Sequence, residues 1–473
     1  MIGTRVFDAT DQRRFAELSG DANPIHLDAL AARRTPAGGS VAHGMHVVLW
    51  ALDALVAAGR IAAPVAALDV RFIKFVRTGA GVTLRVAREC ASSLRAEIAV
   101  DGMIAIRIEC ALGPPRAAPR DSCDAVEDVV LGDRPAVLRL AQTSGRAGVL
   151  PSLEPGTLGA LFPRAALRLG AERVAALVRL SALVGMVCPG LYGIFGGLRV
   201  AAVAQATDRS RVRFAVERAD ERIGMVTIAV GGAGIAGVVT AFVRRPPAAG
   251  APLSAVARQV EPDEFASATA LVVGGSRGLG AAAARIIAAG GGRVAITYQI
   301  GEDDARAVAD EIGLRARVLR YDARHDAAAQ LAALDWDVSH LYYFATSQIF
   351  RQKARWWDGE LFAEFCELYV HGFARVCDAL LARGGTLGAC YPSSVAVERH
   401  PRELTEYGMA KAAGEMLCAD MNRFEPRARV LVTRLPRADT DQTASLVAVP
   451  SADPVELLLP VVRELHALHG ARA

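Results

Sequence analysis

The sequence predicts an α/β multidomain chain in which two like α+β domains precede a doubly wound parallel α/β domain. Three observations carry this. Proline-rich stretches at Gly113–Pro119 and Pro246–Pro252 interrupt the chain, and proline can join neither a helix interior nor a central strand. The first two segments between these breaks share a pattern of one apolar helix followed by alternating runs. The third alternates short apolar runs with helical ones around a glycine turn.

In the first segment, Ala42 to Ala58 reads as an apolar helix, and Ala66–Val76, Val82–Arg88 and Met103–Leu112 read as strands. In the second, the helix falls at Leu177–Val187, with strands at Leu198–Ala204, Arg211–Val216 and Gly237–Val243. One helix wrapped by an antiparallel sheet fits both, as an internal duplication would. In the third, Ala270–Val273 is a strand, followed by the turn Gly274 to Gly280 and an alanine-rich helix through Ala289. Further strands fall at Arg293–Tyr298, Arg317–Tyr321 and Leu341–Phe344, an order that implies parallel strands. The expected domains are residues 1–113, 126–245 and 263–473.

Composition excludes several classes. Net charge is only +4 and no basic block carries interleaved aromatics, so nucleic acid is not an expected partner. No apolar run reads as a membrane span, and the start has no secretory pattern. The eight cysteines form no Cys-x-x-Cys pair and read as reduced thiols, Cys123 among them. His466 and His469 read as residues of a surface helix rather than a ligand pair, and no metal site is expected.

Ser394, Tyr407 and Lys411 are the most informative residues. A phenol of ordinary pKa near 10 is too weak an acid to serve hydride transfer at neutral pH. A lysine four residues on shares its helical face and can lower that pKa, while a serine hydroxyl holds the substrate oxygen. Gly274, Gly278 and Gly280 let backbone approach a pyrophosphate at a helix N-terminus. Together these residues resemble the short-chain dehydrogenase/reductase family across Phe265 to Thr443, most closely its 3-oxoacyl-thioester reductases. The resemblance implies a Rossmann-type domain with Tyr407 as proton donor, Lys411 holding the ribose and Ser394 orienting substrate. Gly274, Ser276, Arg277, Gly278, Leu279, Gly280, Asp322, Tyr407, Lys411 and Pro436 would contact the cofactor. No acid ends the second strand, where Thr297-Tyr298-Gln299 stands, and Arg277 supplies a cation, so NADP(H) is expected. Tyr369, Phe344–Thr346 and Arg437 depart from the family pattern and bear on turnover more than on cofactor binding.

Residues Phe15 to Asp28 and Ser40 to His46 resemble R-specific 2-enoyl-thioester hydratases and other MaoC-like hot-dog proteins. The resemblance makes the first two segments tandem hot-dog (α+β) domains. It makes Asp21 and His26 the catalytic pair and places Asn23, His43 and Gly44 at the substrate, although His43 reads more readily as a structural residue holding the helix entry. The second segment has no Asp-x4-His and no histidine at all. It reads as a degenerate repeat in which Ser181 and Val184–Met186 are relics of the helix start, and Gly190–Gly197 either lines an acyl tunnel or turns the chain.

The expected substrate is an acyl thioester on CoA or acyl carrier protein, with Arg71, Lys74 and Arg77 as candidate phosphate contacts. The expected function is bifunctional: reduction of a 3-oxoacyl thioester and hydration or dehydration of its 2-enoyl/3-hydroxyacyl partner. Two alternatives stand beside it, a reductase carrying a non-catalytic hot-dog module and an NADP(H)-binding module without turnover. The resemblance implies a homo-oligomer, dimer or tetramer, and the scattered thiols imply a cytoplasmic location.

Overall fold

The structure is a computed structural model describing residues 1–473 apart from 116–126, 152, 154–157, 159–160, 205–210, 352, 354, 444, 446–448 and 471–473. Most of the first proline-rich break, with Cys123, therefore lies outside the described residues. The chain divides into two compact units, residues 1–246 with 445–448, and residues 247–444 with 449–473.

The first unit contains β1 (Gly3–Val6), α1 (Ala9–Ser19), α2 (Pro24–Leu27), α3 (Ala29–Arg33) and α4 (Gly44–Ala57). Strands β2 (Val65–Phe72), β3 (Gly81–Cys90), β4 (Ser93–Val100) and β5 (Met103–Leu112) complete its first half. The second half runs β6 (Ala147–Pro151), α5 (Pro163–Leu169), α6 (Ala171–Ala182), β7 (Gly193–Ala202), β8 (Arg211–Asp220), β9 (Met225–Gly232) and β10 (Ile235–Val243). The ten strands form one sheet ordered β1-β3-β4-β5-β2-β7-β10-β9-β8-β6. That order reads the same from either end once each strand is matched to its counterpart five places later. The seam is the antiparallel pair β2–β7, from Ala67 opposite Ala201 to Arg71 opposite Gly197.

Helix α4 is apolar almost all round, with Met45, Val47, Val48, Leu49, Leu52 and Leu55 fully buried, as a helix enclosed by a sheet must be. The expected helix of the second half starts earlier, at Ala171, and ends in a π-helical turn, Leu183–Val187. Apolar spacing located the helix core and missed its polar first turns. Strands β1, β4, β6 and β9 went unread, since pairing with long neighbours stabilises short or half-polar runs whatever their own propensity.

The second unit contains α7 (Leu253–Val256), β11 (Thr269–Val273), α8 (Gly278–Ala289), β12 (Arg293–Tyr298), α9 (Glu302–Ile312), β13 (Ala316–Arg320), α10 (Ala327–Leu331) and β14 (His340–Tyr343). It continues through α11 (Gly359–Cys366), α12 (Gly372–Ala382), β15 (Leu387–Ser394), α13 (Ala396–Arg399), α14 (Thr405–Phe424), β16 (Ala428–Leu435) and α15 (Pro454–Gly470). The sheet order is β13-β12-β11-β14-β15-β16, all pairs parallel. Order reverses at β11/β14, and the crevice at the carboxyl ends of these strands is where a doubly wound sheet binds its ligand.

Candidate active sites

In the first unit, Asp21 and His26 flank a helix-capping turn. Asn23 caps α2 by accepting from the Ile25 amide, and Pro24 opens the helix with a preset φ. One helical turn therefore separates the carboxylate from the imidazole. His26 Nδ1 lies 2.8 Å from the Val41 carbonyl, an acceptor, so that nitrogen carries the hydrogen and Nε2 presents a lone pair. Nε2 stands 3.9 Å from Asp21 Oδ2.

The rest of the Asp21 environment comes from the second half. Ser181 Oγ donates to Asp21 Oδ2 at 2.7 Å, and Arg179 Nη1 donates to the Ser19 carbonyl at 2.7 Å. Asn23 Nδ2 donates to the carbonyls of Gly185 and Gly190 at 2.8 and 3.2 Å. Gly185 is obligatory, because a Cβ there would lie 2.1 Å from Asp21 Oδ1. Burial pushes the Asp21 carboxyl above its ordinary range, while His26, the Ser181 hydroxyl and the Asn23 amide pull the other way.

Two expected substrate contacts take other roles. Asn23 is buried, with its amide and carbonyl spent on the protein, so it locks the turn carrying Asp21 and His26 to the second half. His43 is fully buried. Its Nε2 meets the Asp21 carbonyl at 3.0 Å and its Nδ1 meets Gln12 Oε1 at 2.9 Å, which leaves no nitrogen for substrate. Its side chain does not cap α4. Gly44 opens α4 against Phe72, whose ring a Cβ would meet at 2.6 Å. Asp21, His26 and His43 each offer a ligand atom within 4.8 Å of the others. With both His43 nitrogens already against oxygens, the trio suits acid–base work better than metal coordination. Ser181 was visible in the sequence as a relic; its bond to a residue 160 positions away was not. Gln12 carried no signal.

In the second unit, β15 ends at Ser394, and Tyr407 and Lys411 lie one turn apart on α14. The Tyr407 hydroxyl is bonded to Ser394, yet burial pushes the phenol up to about 12. Burial thus acts against the expected lowering of this phenol by the ammonium. Lys411 Nζ lies 5.9 Å from the Tyr407 ring centre and donates to the Pro392 carbonyl at 2.6 Å. Its ammonium rests over the Tyr369 ring at 4.0 Å and beside Tyr391 at 4.9 Å, and burial draws it down to about 7. Tyr369, in a π-helical turn between α11 and α12, bonds Thr346 Oγ1 through its hydroxyl at 2.6 Å. The residue before Tyr407, Glu406, is fully buried. It accepts from the Asp358 amide at 2.7 Å and pairs with Lys353 at 2.5 Å.

The glycine turn fits a dinucleotide. Gly274 and Gly278 adopt positive φ of 78° and 54°, which side chains resist. A Cβ on Gly280 would lie 2.2 Å from the Gly274 carbonyl, so only glycine lets α8 begin this close to the strand. Ser276 and Leu279 are half-buried in the turn. Arg277 Nη1 pairs with Asp441 at 3.0 Å. Asp322 accepts from Gln299 Nε2 at 2.8 Å and from the Arg324 amide; burial opposes its ionisation, and these bonds outweigh it. Glu302, four residues past Tyr298, is spent on the Tyr298 hydroxyl and on Arg306. Pro436 follows β16 directly, and Arg437 after it bonds the Thr443 carbonyl.

Two further sequence readings meet the structure here. His466 is not a plain surface residue: its Nδ1 lies 3.3 Å from Nε2 of buried His340, whose ring is 4.7 Å from that of His469. The seven described cysteines are free thiols, and no helix among the described residues is long and apolar enough to cross a membrane.

An antiparallel unit carrying a carboxylate–imidazole pair, followed by a doubly wound unit carrying a Ser/Tyr/Lys set, defines a dehydratase-type domain joined to an oxidoreductase. Residues 4–104 match the MaoC like domain family, and residues 268–447 match the short chain dehydrogenase family. The chain is a fusion of a MaoC-like hot-dog region with a short-chain dehydrogenase/reductase domain. Among characterised proteins it is similar to 3-hydroxybutyryl-CoA dehydratase of Methylorubrum extorquens, at 29% identity over 138 residues, covering 29% of this chain and 74% of that protein. Similar solved structures include an alcohol dehydrogenase from the archaeon Thermococcus sibiricus complexed with 5-hydroxy-NADP. It is 24% identical, covering 42% of this chain and 89% of its own, at a TM-score of 0.37. FolM alternative dihydrofolate reductase 1 from Brucella suis, in complex with NADP, is 19% identical, covering 42% and 88%, at a TM-score of 0.35.

Proposed function

We propose that this protein carries out two reactions on one acyl thioester. Residues 263–473 reduce a 3-oxoacyl thioester to the 3-hydroxyacyl form with NADPH. Residues 1–113, backed by 126–245, interconvert 3-hydroxyacyl and 2-enoyl thioesters with (R) specificity. The observation that carries the reading is the 3.9 Å gap between His26 Nε2 and Asp21 Oδ2. One oxygen atom can hydrogen-bond to both at ordinary distances of about 2.8 Å, so a single water or hydroxyl can sit between base and acid.

In hydration, the His26 lone pair takes a proton from that water as its oxygen attacks C3. Asp21, held protonated more readily by burial, supplies the proton to C2. Amides opening α4 near Gly44 suit the charge gathering on the thioester oxygen. Dehydration runs the same steps backward. The relative named 3-hydroxybutyryl-CoA dehydratase supports a CoA thioester as substrate, and Arg71, Lys74 and Arg77 remain candidate phosphate contacts.

In reduction, a bound NADPH would supply the hydride. Ser394 orients the substrate carbonyl and Tyr407 gives its phenolic proton to the oxygen. Lys411 holds the site's positive charge. Gly274, Ser276, Gly278, Leu279 and Gly280 would take the pyrophosphate, with Asp322 and Pro436 at the far and near ends of the cofactor. The absence of a free acid after β12, together with Arg277, favours NADP(H) over NAD(H). Fusion keeps the shared 3-hydroxyacyl intermediate at a raised local concentration. A homo-oligomer accompanies the reading by resemblance, and a cytoplasmic location by the unpaired thiols.

The test is acetoacetyl-CoA with NADPH, followed at the nicotinamide absorbance, beside hydration of crotonyl-CoA. Tyr407→Phe should abolish reduction and spare hydration, and Asp21→Asn the reverse. No NADPH oxidation with CoA, pantetheine or carrier-protein substrates sinks the reductase half. A second reading, NADP(H) binding without turnover, draws on Lys411, whose ammonium faces Tyr369 and the Pro392 carbonyl. Cofactor binding with no reduction of any 3-oxo thioester would support it.

A further inference from the structure

His26 and His43 are stacked, with ring centres 3.8 Å apart and planes 23° from parallel. They come from different elements, His26 from α2 and His43 from the residue before α4. Their hydrogen bonds are unequal. His26 has one protein acceptor, the Val41 carbonyl, and keeps one nitrogen open toward Asp21. Both nitrogens of His43 face oxygens, Gln12 Oε1 and the Asp21 carbonyl.

The Gln12 amide cannot turn over to relieve this. Its Oε1 accepts the His43 backbone N–H at 2.9 Å, and its Nε2 donates to the Asp8 carbonyl at 3.3 Å. Reversal would set donor against donor and acceptor against acceptor. A neutral imidazole has one N–H. One of the two His43 contacts therefore sets lone pair against lone pair when the ring is neutral, and an imidazolium satisfies both.

Burial and the neighbouring His26 oppose that charge and push His43 well below its ordinary range, while the Asp21 carbonyl pulls the other way. The groups facing the pair are the Asp21 carboxylate from the turn after α1, His46 one turn along α4, and neutral Gln12 from α1; Phe15 of α1 covers His43. Arg179 reaches the same turn at the Ser19 carbonyl. At 3.8 Å in a buried site, a charge on either ring excludes a charge on the other.

We propose that His26 and His43 titrate as one unit that takes up a single proton, and that Gln12, as a positioning residue, sets which ring carries it. The proposal rests on the acid–base reading of Asp21 and His26. During turnover the proton drawn from water enters His26. A proton already on His43 blocks that uptake, so the oxygen at Gln12 tunes the strength of the base without touching substrate.

The test is a pH titration of imidazole nitrogen shifts in the full chain labelled with 15N-histidine, beside the pH profile of crotonyl-CoA hydration. In the wild type, His26 and His43 should show one common midpoint and sum to one proton. Gln12→Glu keeps the acceptor for the His43 amide and draws the proton to His43. Its hydration at neutral pH should fall roughly tenfold, with the acid limb about one pH unit higher. Gln12→Met removes the side-chain acceptor, leaves the proton to His26 and should move the limb downward. If His43 keeps neutral-tautomer shifts from pH 9 to 5 in the wild type and in either folded Gln12 variant, while His26 titrates alone, the proposal is overturned. Failure of the wild type to hydrate crotonyl-CoA sinks the acid–base reading instead; the nitrogen titration decides the sharing by itself.

Discussion

The two halves of the first unit share a strand order and divide one site between them. Among the described residues, the first half holds the site's carboxylic acid and imidazoles, Asp21, His26, His43 and His46, while the second contains no histidine. What the second supplies is fixed and mostly neutral: the Ser181 hydroxyl, the Gly185 and Gly190 carbonyls, and a buried Arg179 that reaches only a backbone oxygen there. A half that carries neither acid nor base can still be indispensable, because orientation and desolvation of a carboxylate need partners that do not titrate. Degeneracy of motif is therefore a poor guide to whether a half matters.

The comparison can be broken first at the titrating side. Asp21→Asn should lower crotonyl-CoA hydration by roughly 10²–10⁴-fold, measured against unchanged NADPH oxidation. Next comes the neutral side. Gly185→Ala drives a methyl into the Asp21 carboxylate. It should cost about 1–3 kcal/mol in chemical unfolding and lower hydration by about 10²-fold through displacement of the carboxylate. An active, equally stable alanine variant would show that the second half is a bystander.

Ser181→Ala should act more mildly, roughly tenfold, and with a sign. The hydroxyl holds the Asp21 carboxyl down against burial, so its loss should move the hydration profile toward higher pH. A last variant separates the halves by stability. His46 is buried with neither ring nitrogen hydrogen-bonded, and stacks 4.8 Å from Phe15. Burial holds it down to about 3. The unfolded chain binds this proton more readily, so stability is full above pH 6.5 and declines below it, by about 2 kcal/mol at pH 5. His46→Phe should flatten that dependence in urea titrations at pH 7 and 5.

Much of this was legible before any coordinates. The glycine turn, Ser394, Tyr407 and Lys411 fall where local strand–turn–helix order places them, and the duplication shows in apolar spacing. Contacts between distant segments were not legible. Nothing around Asp21 announces Gly185, and nothing around Gln12 announces His43. Tyr369 was visible as an unusual residue, but only packing shows its ring beneath the Lys411 ammonium. The expectation that this ammonium acidifies Tyr407 rested on helical spacing, which fixes the shared face and leaves burial out.

The β2–β7 seam has a consequence for anyone dissecting the protein. Backbone groups along Ala67–Arg71 alternate between β5 on one side and β7, a strand of the other half, on the other. A fragment cut near residue 112 would thus uncover a row of bare amides and carbonyls flanked by apolar side chains, an edge that recruits another copy of itself. Truncates of this kind should elute at twice their mass or precipitate, so assays on isolated pieces would report an artificial assembly and not half of an enzyme.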